Sequence, residues 1–358
     1  MAAPGPRRGT WALAFGLVAA AVVAALLDVP EGIVFAAAAL AIVPLAYLMG
    51  TATEELGKRA GPGVGGLLNA TFGNATEMIL AVAILAGGLS ATVKVELVKA
   101  SITGSIIGNL LLVLGLSMFV GGLRFPRQTF SREAAVLQVT MLVLAVIGLV
   151  MPELFNLTFG PTAGLENVSL FIAAILLVGY VAGLVFSLRT HRDVFNPVTG
   201  TDEPARWPFR VALAVLAGTT MLVAAMSEIL VLTLDAVLGA VGVTPLFLGV
   251  VVLAIVGNAA EHGAAILMAA KNKMDLSVGI STSSSTQVAL FVAPILVFVS
   301  LALGSPMSLA FEPFELVAIA LSVVVVSLVA SDGVSNWYEG FLLLMVYGIF
   351  AVGFYFHP

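Results

Sequence analysis

The sequence predicts an all-α polytopic membrane protein of about eleven transmembrane helices, one N-terminal helix followed by two inverted five-helix repeats. Three observations predict this. The 358 residues are 60% hydrophobic and only 10% charged, and mean hydropathy is +1.13, more apolar than a soluble domain requires. Apolar runs recur at the roughly 20-residue length that crosses a hydrocarbon core. A Gly-Asn-x-x-Glu motif occurs twice, at Gly73 to Glu77 and Gly257 to Glu261, and the two glutamates lie 184 residues apart.

Taken in order, the predicted spans are 10–27, 31–50, 63–87, 93–121, 130–151, 167–188, 209–239, 244–270, 276–304, 314–331 and 336–356. With the N-terminus on the cytoplasmic side, the cytoplasmic segments hold Arg7, Arg8, Lys58, Arg59, Arg124, Arg127, Arg132, Arg189, Arg192, Arg206, Arg210, Lys271 and Lys273. That is 13 of the 15 basic residues, and only Lys94 and Lys99 fall toward the other side. The opposite loops carry Asp28, Glu31, Glu153, Glu166 and Glu312. The excess of Lys and Arg on one side supports both the span count and the orientation. Arg7-Arg8 before an apolar stretch also matches a secretory or twin-arginine signal ending near residue 25. A retained first span is the reading adopted.

The organisation is then an N-terminal tail and first helix (1–30), a first five-helix repeat (31–188), a cytoplasmic linker (189–208) and a second five-helix repeat (209–358). An odd number of spans per repeat inverts the second copy, a plan common among secondary transporters. Other echoes keep the same order. Ala52-Thr-Glu-Glu-Leu56 precedes the first motif and Met226-Ser-Glu-Ile-Leu230 the second, while Ser101-Ile-Thr-Gly-Ser105 and Ser281-Thr-Ser-Ser-Ser-Thr286 open the helices that follow. At 1.5 Å per residue, Glu77 and Glu261 lie about 20–26 Å along helices that enter from opposite faces. They are expected to meet near the membrane centre.

The motif has its own chemistry. A carboxylate at membrane depth costs about 2.5–3.5 kcal/mol on insertion scales, so a duplicated one marks a site. Gly-Asn is a poor helix former and favours a kink or unwound turn in both copies, tolerable only where the freed carbonyls line a cavity. Carboxylate, amide and carbonyl oxygens suit hard divalent cations such as Ca²⁺, Mg²⁺ and Mn²⁺. Asn74 with Glu77, and Asn258 with Glu261, share a helix face at a spacing of three. Two ionised glutamates neutralise one divalent cation, and protonated they hold two protons. Proton and cation thus compete for one site, as antiport requires.

The stretches Leu67-Leu-Asn-Ala-Thr-Phe-Gly-Asn-Ala-Thr-Glu77 and Gly257-Asn-Ala-Ala-Glu-His262 resemble the repeat signatures of the Ca²⁺/H⁺ exchangers. These form the cation/proton-exchanger branch of the calcium/cation antiporter superfamily. Gly104-Ser105 through Gly115, Ser284-Ser-Thr-Gln287 through Pro294, and Ser227-Glu228 are also similar to that family. The resemblance runs from about residue 31 to the end of the sequence, and Ser283-Ser284 departs from the usual Gly-Ser. It implies that Glu77 and Glu261 alternately bind Ca²⁺ and protons, that Asn74, Asn258 and nearby carbonyls support them, and that Ser105, Asn109, Ser284 and Gln287 line the path. A second departure is the short N-terminal tail: the long regulatory tail of some plant members is absent, so autoinhibition of that kind is not expected.

Other residues admit two readings. Glu54 and Glu55 pair with Lys58 at a helix end or attract cations. Glu228, deep in its span, is a gating or extra proton site, and Asp235 lies on the same face near the helix end. His262 tunes proton access or packs. Asn109 and Gln287 line the path or join helices by hydrogen bonds. The Ala/Gly-rich stretch 259–265 reads as close helix packing. No cysteine is present, which excludes disulfides, and His191, His262 and His357 are too scattered for a histidine metal site. A zinc His-Glu-x-x-His motif and a phosphate loop with Lys are both missing, so no enzyme is predicted.

The expected function is Ca²⁺ export in exchange for H⁺. The alternatives are an exchanger coupled to Na⁺ or K⁺ and, less favoured, a passive cation channel. No cofactor is expected, only transported Ca²⁺ and H⁺. The partners are the lipid bilayer and, compatibly, further copies of the chain, with no nucleic acid. The short tails suggest a prokaryotic plasma (inner) membrane.

Overall fold

The computed structural model describes residues 8–27, 29–60, 67–68, 71–160, 163–191 and 204–357. Arg7, Asp28, Arg192, most of the linker and the start of the third span lie outside them. The helices are α1 (Arg8–Leu26), α2 (Glu31–Ala60), α3 (Ala75–Ala86), α4 (Ala91–Arg124), α5 (Arg132–Phe159) and α6 (Ala163–Val185, continued by a π turn over Phe186–Thr190). They continue with α7 (Phe209–Leu232), the short α8 (Leu234–Val241), α9 (Pro245–Ala270), α10 (Met274–Ala302), α11 (Pro313–Val329) and α12 (Trp337–Phe356). Among the described residues nine of these are long and apolar enough to cross a membrane, and α3 and α11 are shorter apolar helices. The all-helical membrane architecture is therefore as the hydropathy predicts.

Two expectations about local structure need correction. The span 209–239 is not one helix. It breaks at Thr233, whose hydroxyl bonds back to the carbonyls of Ile229 and Leu230, so Asp235 belongs to a separate helix and shares no continuous face with Glu228. The unwound turn at Gly-Asn forms in the first motif only. Helix α3 starts at Ala75 after Asn74 (φ −96°, ψ 14°), whereas the segment Ala254–Ala270 of α9 runs unbroken through Gly257-Asn258. In the second copy the Asn258 amide donates to the carbonyl of Ala254 within its own helix, at 2.9 Å, and that bond is compatible with continued winding.

Irregularity enters elsewhere. Helix α4 widens to a π turn over Gly108–Val113, α9 over Leu248–Leu253 and α10 over Val288–Val292. Single π turns gather at functional sites because they re-aim side chains without ending a helix. Here one contains Asn109 and another begins directly after Gln287.

Close backbone crossings set where these helices meet. A Cβ on Gly104 of α4 would collide with the backbone of Val250 on α9, and one on Gly249 would collide with Ala100 and the Leu97 carbonyl. Small residues let helices approach closely in lipid, where apolar burial supplies no net drive to associate. Helix α12 meets α4 in the same way at Gly340 and Gly115. Around this centre α2 and α7 form the most extensive helix pair, with α2 also against α9 and α7 against α3, while α1 packs on α2 at the periphery. The pair has a small core of its own at its basic end, built from Met49, Ala52, Leu56, Ala212 and Leu216 and separate from the main core.

At that basic end, rich in Lys and Arg, Gln128–Thr129 pair antiparallel with Val334–Ser335, and the Gln128 amide donates to the Ala269 carbonyl and to Asn272. At the opposite, acidic end Lys99 is held by the carbonyl of Ala310, the hydroxyl of Ser308 and the ring of Phe311. The crossing at Gly104 is tested by a single methyl group. Gly104→Ala should destabilise the protein by about 1–3 kcal/mol, read as a lower melting temperature in detergent. Gly348→Ala, where a Cβ meets nothing, should be neutral or slightly stabilising.

Candidate ion-binding site

Glu77 lies in the first turn of α3, directly after the break, and is buried. Its side chain crosses α9 at Gly257, where an added Cβ would sit 3.1 Å from Glu77 Cγ. Gly257 precedes Glu261 by one helical turn, so the glutamates of the two motifs approach the same stretch of α9. The two carboxylates are near enough to repel one another. The motif glycine thus does different work in its two copies: Gly73 precedes a helix break, and Gly257 makes room for the other carboxylate.

Amides and hydroxyls from both halves surround the pair. Asn109 on α4 donates to Ser284 Oγ on α10 at 2.9 Å and to Asn258 Oδ1 on α9 at 3.3 Å. Ser284 in turn donates to Glu261 Oε2. On the other side Asn258 Nδ2 donates to Ser105 Oγ on α4 at 2.9 Å, and Ser105 and Asn258 are the polar groups that face the Glu77 carboxylate. Each arm therefore runs from the asparagine of one half, through a serine of the other half, to that second half's glutamate. Gln287 joins the site through Asn74, whose Nδ2 lies 2.5 Å from Gln287 Oε1.

The donor set decides what the site can hold. Asn74 Oδ1 and Glu77 Oε1 are both fully buried and have no hydrogen-bond partner. An unsatisfied acceptor in an apolar interior is expensive, and two of them three residues apart at the helix break suit a cation with hard oxygen ligands. Among the described residues no group of three or more His, Asp or Glu side chains is placed to hold a metal. A cation at the glutamate pair must complete its shell with amide, hydroxyl or backbone oxygens, which Asn74, Asn258, Ser105 and Ser284 surround it with.

Eight of the ten residues singled out in the sequence thus come together. His262 follows Glu261 but its buried Nε2 has no partner. Glu228 stands apart and exposed on α7, lining an apolar cavity of about 530 Å³ with Met78 and Val82 of α3 and Gly87 just past its end. Lys58 pairs with Glu54 at 2.7 Å and Glu55 at 3.4 Å, while Glu55 Oε2 also accepts from the backbone N–H groups of Arg206 and Trp207. Glu55 therefore ties the end of the linker to α2. Asn109 and Gln287 join helices by hydrogen bonds, Asn109 to Ser284 and Asn258 and Gln287 to Asn74.

The sequence reading missed Glu315. It is buried, accepts from Thr103 Oγ1 of α4 at 2.7 Å and closes a capping box with Glu312. With Glu96, Lys99 and Glu312 it lines a cavity of about 490 Å³ at the acidic end. Glu312-Pro-Phe-Glu315 ahead of an apolar run is a helix-start signature, and it was the available signal.

A protein-family model described as "Sodium/calcium exchanger protein" matches residues 31–189 and 211–356. A Ca(2+)/H(+) antiporter of Synechocystis sp. is 47% identical over 350 residues, covering 92% of each chain. The Ca(2+)/H(+) antiporter ChaA of Bacillus subtilis is 45% identical, over 95% of this chain and 98% of its own. The solved structure of native YfkE superposes with a TM-score of 0.84 at 41% identity, over 97% of this chain and 100% of that one. The H+/Ca2+ exchanger CAX shares the fold, with a TM-score of 0.73 at 13% identity. On the family match, reinforced by these relatives, the chain belongs to the sodium/calcium exchanger protein family.

Proposed function

We propose that this protein is a secondary transporter that moves Ca²⁺ out of the cell in exchange for H⁺. The observation that carries the reading is the buried pair Glu77 and Glu261, brought by two halves of the chain to one stretch of α9 beside unpartnered oxygen acceptors. Two carboxylates balance one Ca²⁺ or two protons, so the site is neutral in either loaded state. A neutral loaded site crosses a low-dielectric barrier far more readily than a charged one, which favours exchange over leak. The 45–47% identical relatives bear antiporter names that agree with this cargo.

The two five-helix halves, 31–188 and 209–358, act as inverted copies about the site. Helices α2 and α7, the most extensive helix pair, with their contacts to α9 and α3, are the pair that moves against the rest to expose the site alternately to each side. The cycle needs no cofactor and no catalytic step. The basic end faces the cytoplasm, by the positive-inside rule, with the N-terminus on that side of a plasma membrane. Glu228, outside the central network, is the candidate for an additional proton. A third proton per Ca²⁺ would carry one net charge and make exchange respond to voltage by about 2.3 kcal/mol per 100 mV.

Three outcomes test the proposal. In inverted vesicles under an imposed ΔpH, Glu77→Gln and Glu261→Gln should each reduce ⁴⁵Ca²⁺ uptake by about two orders of magnitude, about 2.8 kcal/mol. Uptake that instead needs a Na⁺ or K⁺ gradient and survives collapse of ΔpH would assign the chain to the other coupling of its family. Ca²⁺ binding to the purified protein should weaken as pH falls. The slope of log Kd against pH should approach −2 where both glutamates are protonated and zero where both are ionised; a pH-independent Kd removes proton competition.

The third outcome uses the lack of native cysteine. A Cβ on Gly87 would meet Val231 Cγ1 at 2.7 Å, so the two positions are direct neighbours between the end of α3 and α7 and are the pair to cross-link. Oxidised Gly87→Cys/Val231→Cys should tie α3 to α7 and lower exchange at least about tenfold by blocking alternation, with recovery on reduction. Full exchange by the oxidised protein would exclude movement of α7 against α3.

A further inference from the structure

An apolar cleft of about 420 Å³ runs between α1, α2 and α7 on the outside of the bundle, away from the ion site. Its walls are Trp11 and Phe15 of α1, Leu45 and Leu48 of α2, and Gly218 and Leu222 of α7, and at its basic end it is closed by Arg210. From Arg210 to Leu222 is twelve residues of α7, about 18 Å. That is close to one leaflet of a hydrocarbon core about 30 Å thick.

The basic end has the makings of a headgroup site. Arg210 is exposed, sits in the first turn of α7, and makes no hydrogen bond or ion pair among the described residues. Among the described residues, the carboxylates at this end of α2 are engaged elsewhere. Glu54 is paired with Lys58, and Glu55 with Lys58 and the backbone N–H groups of Arg206 and Trp207. Trp11 and Trp207 lie 6.3 Å apart, centroid to centroid, at this end, where indole rings favour the membrane interface. Arg8 is exposed one turn before Trp11, and Arg59 lies close by, bonded to the Trp207 carbonyl. Cation, indoles and a leaflet-deep apolar channel are arranged in the order in which a phospholipid presents phosphate, glycerol and chain.

We propose that this cleft binds one anionic phospholipid, with its phosphate on Arg210 and an acyl chain along Gly218 between α1 and α7. A zwitterionic lipid carries a compensating cation beside its phosphate and fits the Arg-rich rim less well. The bound chain would touch α2 and α7, so the lipid reads the position of that helix pair directly.

The test uses the three tryptophans of the chain, Trp11, Trp207 and Trp337. In a Trp337→Phe background the full-length protein is reconstituted into vesicles of phosphatidylcholine and phosphatidylglycerol, with one or the other brominated on its chains. Trp11 and Trp207 should be quenched by brominated phosphatidylglycerol with a relative binding constant about fivefold above that for phosphatidylcholine, the effect of one basic side chain near an anionic surface. Arg210→Gln should bring the ratio to about one, and Arg210→Lys should keep most of it. Gly218→Leu, where an added Cβ meets nothing within 4 Å, should fill the cleft and abolish the preference without lowering the melting temperature. Equal quenching by both lipids in the parent protein, or a preference untouched by Arg210→Gln, overturns the proposal. Resistance to both lipids together with a concentration-dependent rise in mass in detergent also overturns it, by placing a second copy in the cleft.

Discussion

The requirement that polar groups buried in a membrane protein find partners within the protein governs the centre of this structure. Asn109 and Asn258 cannot be left unpaired where α4 and α9 cross, and there is no bulk water to satisfy them. They bond to each other and to serines of the opposite half; Ser284 donates in turn to Glu261, and Ser105 faces Glu77. The carboxylates are thereby oriented by groups that do not titrate. At the first motif Asn74 Oδ1 and Glu77 Oε1 are buried acceptors without a hydrogen-bond partner.

Everything around this network serves the close approach that makes it possible. Gly104 and Gly249 let α4 and α9 touch backbone to backbone, and Gly257 lets the Glu77 side chain pass over α9. The π turns re-aim Asn109 and follow Gln287 without ending the helices that carry them. At the two ends of the bundle the loops are anchored, by Gln128 at one face and Lys99 at the other, so the central crossing is held from both sides. The α2–α7 pair shares the main core through Ile42, Leu45, Val223 and Leu230 and adds a small core of its own at the basic end.

Much of this was legible in the sequence because it rests on composition and repetition. Eleven apolar runs, the basic-residue asymmetry and two Gly-Asn-x-x-Glu motifs suffice for the helical membrane class and for Glu77 and Glu261 as a pair. The asymmetry between the motifs was not legible: identical Gly-Asn pairs give a break at Gly73-Asn74 and a continuous helix at Gly257-Asn258. The difference lies in the partners, since Asn74 is drawn away to Gln287 while Asn258 returns a bond to Ala254. The break at Thr233 escaped because Leu, Val and Thr read as one apolar run whether or not the helix is continuous. Glu315 escaped because it sits near a predicted loop, and its burial depends on Thr103 from a helix 212 residues away in sequence.

The sequence by itself determined that the chain is an all-helical membrane protein and which two carboxylates form a repeated pair, because hydropathy, charge bias and an internal repeat are properties of the order of residues alone. Tertiary structure decided which oxygens remain free for a cation, which serine serves which glutamate, and that Glu228 stands in a cavity apart from the pair. Those are questions of distance between segments far apart in the chain. They are answered only where glycines permit two helices to touch and buried polar groups must choose their partners.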